Sequence, residues 1–112
     1  MDCLFCSIAS KDIPSQLIYE DDLVVAFKDI NPQAPIHFLV VPKLHVQSLD
    51  QVTEAHNGLI AHIMRLIPKL AAEQGVENGY RVINNCGSDG GQTVGHIHFH
   101  VLGGREMLWP PG

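Results

Sequence analysis

A chain of 112 residues with 46% hydrophobic and 17% charged residues has the make-up of a globular domain with one modest core, not of a disordered segment. Its formal net charge is −5 and its seven Lys and Arg residues are scattered, so the basic patch that polymeric nucleic acid requires is missing. No apolar run approaches the roughly 20 residues that cross a bilayer. The opening MDCLFCSIASKD has no secretory pattern, and three cysteines, an odd number, do not make a disulfide framework; one domain over residues 1–112, cytoplasmic and without membrane contact, is expected.

In chain order, a short helix or turn is expected around Phe5 to Ser10. LIYEDDLVVAFKD then reads as a hairpin, two β-branched and aromatic runs parted by the acidic turn EDD. INPQAP is a proline loop, and IHFLVVP is a strand that Pro42 ends or forces to an edge. From Thr53 to about Gln74, Ile60, Ile63, Met64, Ile67, Leu70 and Ala71 recur at spacings of three and four, the mark of a helix with one buried stripe. Asp50 or Thr53 is placed to cap it and Gly75 to end it, and Pro68 implies a kink or break near Arg65. GYRVINN is a further strand, CGSDGGQTVG a glycine-rich loop, and HIHFHVLGG the last strand. Antiparallel strands with one principal helix make an α+β domain.

The last strand carries the chemistry. His96, His98 and His100 alternate with Ile97, Phe99 and Val101, which puts three imidazoles on one face. A polar, solvated face needs no such row. Two histidines two apart start roughly 6.6 Å from each other and can share a zinc ion, whereas three span about 13 Å, leaving at least one for other work. A neutral imidazole attacks phosphorus at pH 7. The stretch GSDGGQT, residues 87 to 93, immediately precedes the strand and offers backbone N–H groups and the Thr93 hydroxyl to a phosphate.

HIHFHVL fits the pattern His-φ-His-φ-His-φ-φ, with φ apolar, and resembles the histidine triad (HIT) superfamily. YEDD, DINPQAPIHFLVVPKLH and NGYRVINNCGSDGGQTVGHIHFHVLGGREMLWPPG extend the likeness over nearly the whole chain, towards its histidine triad nucleotide-binding (HINT) branch. The third triad position is His100, where the transferase and dinucleotide-hydrolase branches usually carry glutamine. The resemblance implies a HIT-like fold, an antiparallel sheet of about five strands with one main and one short N-terminal helix, extended across a homodimer.

It also implies a purine nucleoside phosphoramidase that cleaves P–N bonds through a covalent nucleotidyl-histidine. His98 would be the nucleophile, His100 would contact the same phosphate, and His37 would lie behind the nucleophile in its hydrogen-bond network. Phe5, Ile8, Phe27 and Ile30 would flank the nucleoside, Asp29 would accept from the ribose hydroxyls, and Asn85, Gly91, Gln92 and Thr93 would serve the phosphate. Read alone, those apolar residues are ordinary core.

Cys3 and Cys6 form a C-x-x-C pair, which by itself is equally a redox pair or two small buried residues. By resemblance, Cys3, Cys6, His45 and His96 complete a structural zinc set, with a bend at Gly95 turning His96 away from His98. Trp109, near an exposed-looking end, would shape a leaving-group pocket across the dimer interface. His56 and His62 read as solvated helix residues, and Cys86 is given no role. Two rivals accompany the phosphoramidase: a nucleotide-binding adaptor with vestigial hydrolysis, and a metal-dependent hydrolase that uses the histidine row as ligands.

Overall fold

The computed structural model describes residues 3–112. A short helix α1 (Leu4–Ala9) is followed by strands β1 (Leu17–Glu20), β2 (Val24–Lys28) and β3 (Ile36–Pro42), the long helix α2 (Asn57–Glu73), and strands β4 (Tyr80–Ile83) and β5 (Phe99–Gly103). The strands form one antiparallel sheet in the order β1-β2-β3-β5-β4. This is the expected α+β arrangement within one chain, five antiparallel strands with one main helix and a short N-terminal one. β3 is central, so Pro42 ends a strand rather than forcing it to an edge.

The three central strands are apolar almost throughout because both faces of the sheet are covered. On one side Val24, Ala26, Phe38, Val40, Phe99 and Val101 pack with Ile63, Leu66, Ile67 and Leu70 of α2. On the other Val25, Phe27, Leu39 and Val41 meet Cys3, Phe5 and Ile8 of the N-terminal segment. Burying one such Leu, Ile or Phe side chain stabilises the fold by about 2 kcal/mol. The acidic turn is held by Asp21, whose Oδ1 accepts the N–H groups of Leu23 (2.8 Å) and Val24 (2.9 Å).

The helix differs in detail from its sequence pattern. Two 3₁₀ turns, Leu49–Gln51 and Glu54–His56, precede it; His56 Nδ1 accepts the Thr53 N–H at 2.9 Å, and the α-helix starts only at Asn57. Met64 is turned outward and Leu66 takes its place in the buried stripe. The helix runs unbroken through Pro68. At its end Gly75 adopts φ +91°, the Gly75 N–H donates to Ala72 O and the Val76 N–H to Ala71 O, a Schellman closure. Among the described residues no helix is long and apolar enough to cross a membrane.

Candidate active site

The expected last strand begins late. Val94–His96 bend rather than extend, and regular pairing starts at Phe99. The cause is in the hydrogen bonds: the His96 N–H donates to Val94 O (2.9 Å) and the Ile97 N–H to Val46 O (2.7 Å), so neither joins the ladder. Ile97, Phe99 and Val101 still face α2, while the imidazoles diverge to two different tasks.

His96, fully buried, points to the N-terminal segment. Its Nδ1 lies 3.2 Å from Cys3 Sγ, 3.5 Å from Cys6 Sγ and 3.1 Å from His45 Nδ1, and Cys6 Sγ lies 3.3 Å from His45 Nδ1. Nε2–H of His96 donates to the Pro42 carbonyl at 2.8 Å, which leaves Nδ1 a bare lone pair. Three groups therefore converge on one acceptor, more than hydrogen bonding can use. A tetrahedral cation with bonds of 2.0–2.3 Å needs donors roughly 3.3–3.8 Å apart, close to the separations found, and a ring N–H held by a carbonyl is the usual outer support of a metal-binding histidine. Burial, followed by the Cys3 side chain, raises the Cys6 thiol above its ordinary value. These four residues fit a closed Cys₂His₂ centre.

His98 has the opposite setting. Its Nδ1–H donates to the His96 carbonyl at 2.7 Å, which fixes the tautomer and leaves Nε2 a lone pair with no partner among the described residues. Phe5 stands edge-on to the ring at 4.9 Å between centroids. Beside it opens a cavity of about 380 Å³, lined by Phe5, Ile8, Phe27, Asp29, Ile30, Thr93, His98 and His100 among others, a volume in the range of small-ligand sites. Phe5, Ile8 and Phe27 are buried members of the second core cluster, whereas Ile30 is 99% exposed at the rim, which no core role explains.

Behind His100 runs an ordered chain of donors. The Gln33 N–H donates to His37 Nδ1 at 3.0 Å, so the neutral His37 ring carries its proton on Nε2. That proton is given to His100 Nδ1, 2.9 Å away, so His100 in turn presents Nε2–H. Burial, and then the neighbouring imidazoles of His98 and His37, bring His100 down to about 4 against the pull of Asp29. Burial likewise lowers His37, opposed by Asp29. His37 thus sits behind His100 rather than behind His98. Asp29 Oδ2 is 3.4 Å from His37 Nε2 and 3.9 Å from His100 Nδ1; Oδ1 accepts the Asn31 N–H at 2.8 Å. Although Asp29, His37 and His100 cluster as metal ligands do, the Gln33 bond keeps a proton where a metal would sit, so the polarity suits proton donation.

The glycine-rich loop is largely closed on itself. The Gly91 N–H donates to Ser88 O and the Gln92 N–H to Gly87 O. Gln92 Oε1 accepts the Gly87 N–H, and its Nε2 donates to Gln47 O and Val94 O. Gly91 and Gln92 therefore shape the loop, and of this loop's expected residues Thr93 alone lines the cavity. Asn85 does not line it. Gly90 is required by space: a Cβ there would stand 2.2 Å from Cys86 O.

At the far end the Arg81 guanidinium donates to Leu108 O at 3.0 Å and lies 6.0 Å from the centre of the Trp109 ring, tying the tail to β4 with Trp109 81% exposed. Sequence reasoning overlooked three contacts. Asn84 Nδ2 donates to the His98 carbonyl at 2.9 Å, Gln33 sets the His37 tautomer through its backbone, and His62 is not simply solvated, since its Nε2 meets Asp21 Oδ2 at 2.6 Å beside the Tyr19 hydroxyl at 2.8 Å. The doubled asparagine in VINNC was a signal for the first; a backbone N–H leaves none.

Fold and site together define a class: small α+β proteins in which two imidazoles of a His-φ-His-φ-His stretch stand beside an apolar-walled cavity, one with a free lone pair and one as a donor. The family model for the HIT domain matches residues 10–107. The chain is 46% identical over 111 residues to an uncharacterized HIT-like protein of Synechococcus elongatus, covering 99% of this chain and 97% of the relative. It is also 46% identical over 111 residues to a 14 kDa zinc-binding protein of Zea mays, covering 97% of this chain and 87% of the other. A crystal structure of a HIT family hydrolase from Legionella pneumophila superposes with a TM-score of 0.97 at 48% identity, covering 99% of this chain and 100% of that one. The chain belongs to the HIT family.

Proposed function

We propose that this chain is a hydrolase of the HINT type, a purine nucleoside phosphoramidase. The supporting observation is the His98 tautomer: Nδ1–H bound to the His96 carbonyl leaves Nε2 available beside a cavity that also holds His100 and Thr93. In the first step Nε2 attacks the phosphorus of a nucleoside phosphoramidate, the N–P bond to His98 forms, and the P–N bond to the amine breaks, the amine taking from solvent a proton that the attacking water of the second step gives back. Water then displaces His98, giving the nucleoside monophosphate and regenerating the neutral ring. His100, kept neutral and presenting Nε2–H, donates to the phosphoryl group as its charge develops. Phe5, Ile8, Phe27 and Ile30 flank the base, Asp29 accepts from the ribose, and Thr93 meets the phosphate, with Asn85, Gly91 and Gln92 completing and bracing that side.

Cys3, Cys6, His45 and His96 hold zinc in this reading, a coordinatively closed ion whose contribution is folding energy. The zinc-binding relative from maize supports it. A homodimer formed at the open edge of β4, where Tyr80 and Val82 are partly exposed beside Trp109, would continue the sheet and bring Trp109 to the neighbouring site.

The test is rapid quench with an adenosine phosphoramidate and mass analysis of peptides spanning His98. A nucleotidyl adduct is expected on His98 and none in His98→Asn, whose turnover falls at least about a thousandfold. Normal turnover with an unmodified peptide rejects the covalent route.

A further inference from the structure

The antiparallel ladder between β4 and β5 ends at the pair Ile83 and His100. Upstream of that rung β5 must leave strand geometry, because His98 reaches its own Nδ1–H back to the His96 carbonyl and the Ile97 N–H is spent on Val46. His98 is buried, and a buried carbonyl that loses its rung needs another donor. Asn84, one residue past the end of β4, supplies it from its side chain, Nδ2 to His98 O at 2.9 Å. Its own Oδ1 is shut from solvent and, among the described residues, is the buried side-chain oxygen without a donor. An amide with half its capacity unused is a poor choice for stability alone. Its place in the chain, directly against the peptide of the nucleophile, gives it another use.

We infer that Asn84 is a positioning residue for His98: it clamps the His98 peptide from the carbonyl side while the His96 carbonyl holds the ring, and the two bonds together aim Nε2. This rests on the nucleotidyl-transfer reading of His98 given above. Neither bond touches substrate, so loss of the clamp lowers the rate of attack without weakening nucleotide binding.

The experiment uses the full-length, zinc-loaded protein with Asn84→Ala and with Asn84→Asp, the latter keeping the shape but losing the donor. Single-turnover formation of the His98 adduct from adenosine phosphoramidate is expected to slow by about tenfold or more in both. AMP affinity stays within about threefold of wild type, and the downfield NMR signal of His98 Nδ1–H broadens or disappears. An unchanged adduct rate in a folded variant, or loss of rate together with AMP affinity and melting temperature, overturns the assignment. Should wild type itself form no adduct, the phosphoramidase reading fails; the His98 Nδ1–H signal still decides the clamp, since persistence of a sharp signal in Asn84→Ala rejects it.

Discussion

A neutral imidazole at His100 follows from its surroundings: it is packed against the rings of His98 and His37, and burial brings it to about 4. The sign of the pH effect follows. Between the unfolded value near 6.5 and about 4, the unfolded chain binds a proton at this position that the folded chain refuses, so stability is full above about 6.5 and is lost as pH falls towards 4. The lowered His37 acts in the same direction. Urea unfolding at pH 7.5, 5.5 and 4.5 is expected to show a falling midpoint, flattened in His100→Gln, and NMR titration should find His100 still uncharged at pH 5.5. The Asp21 carboxyl has the same sign in a lower window, its stabilisation being full above about 4 and lost only as pH falls towards 2. Burial works to raise it, but the Leu23 N–H, the Tyr19 hydroxyl, His62 and the Val24 N–H outweigh that and hold it at about 2, so its clasp between the β1–β2 turn and α2 persists through mild acid.

At the scale of elements, α1 does two things at once. Cys3 is its N-cap, accepting the Cys6 N–H on Sγ, and the spacing of three brings both sulfurs to the His96 side. Phe5 and Ile8 of the same turns wall the cavity. A six-residue helix is too short to be stable alone, so the second core cluster and the contacts of Cys3 and Cys6 with His96 and His45 hold it. Turn chemistry elsewhere is equally specific. Gly75→Ala, at φ +91° but in open space, is expected to cost about 1 kcal/mol of stability through backbone strain alone. Gly90→Ala meets the Cys86 carbonyl and is expected to cost more, about 2 kcal/mol or above, with the loop displaced. Chemical denaturation of the two variants ranks them.

The whole molecule is a sheet with unequal faces. α2 covers one with a continuous apolar stripe, and the other is shared between a small core and the cavity. In the proposed reading, zinc held by Cys3, Cys6, His45 and His96 would pin α1 and so support substrate binding indirectly. Chelation of zinc is expected to lower the melting temperature by several degrees and to raise KM for adenosine phosphoramidate more than it lowers kcat, as the Phe5 and Ile8 wall loosens. Calorimetry and steady-state rates before and after zinc is restored measure both. Immediate loss of kcat with the fold and KM intact would instead point to a metal that takes part in the reaction. The homodimer proposed across the edge of β4 carries its own expectation: the wild type sediments as a dimer and Val82→Asp as a monomer, since a charge at a paired strand edge opposes association.

What residue types and their order determined by themselves was the alternation of apolar and polar positions, the turn residues and the donor inventory. From these the strands, the long helix, the HIT pattern and the row of imidazoles were legible, whereas the set of Cys3, Cys6, His45 and His96 came only with the family resemblance. Period-two reasoning fails at residues 94–98 because hydrogen bonds to the Val46 carbonyl and from the Asn84 side chain, distant in sequence, replace the ladder and let His96 and His98 diverge. Likewise, Pro68 sits in an unbroken helix held by its packing, and Leu66 takes the buried place that spacing gave to Met64. Only the tertiary structure decided the direction of each proton: His96 bare at Nδ1 because Pro42 holds Nε2–H, His98 bare at Nε2 because His96 holds Nδ1–H, and His100 a donor because Gln33 orients His37. An imidazole's two nitrogens are indistinguishable in a sequence, and their roles are set by whichever backbone group the fold brings within about 3 Å.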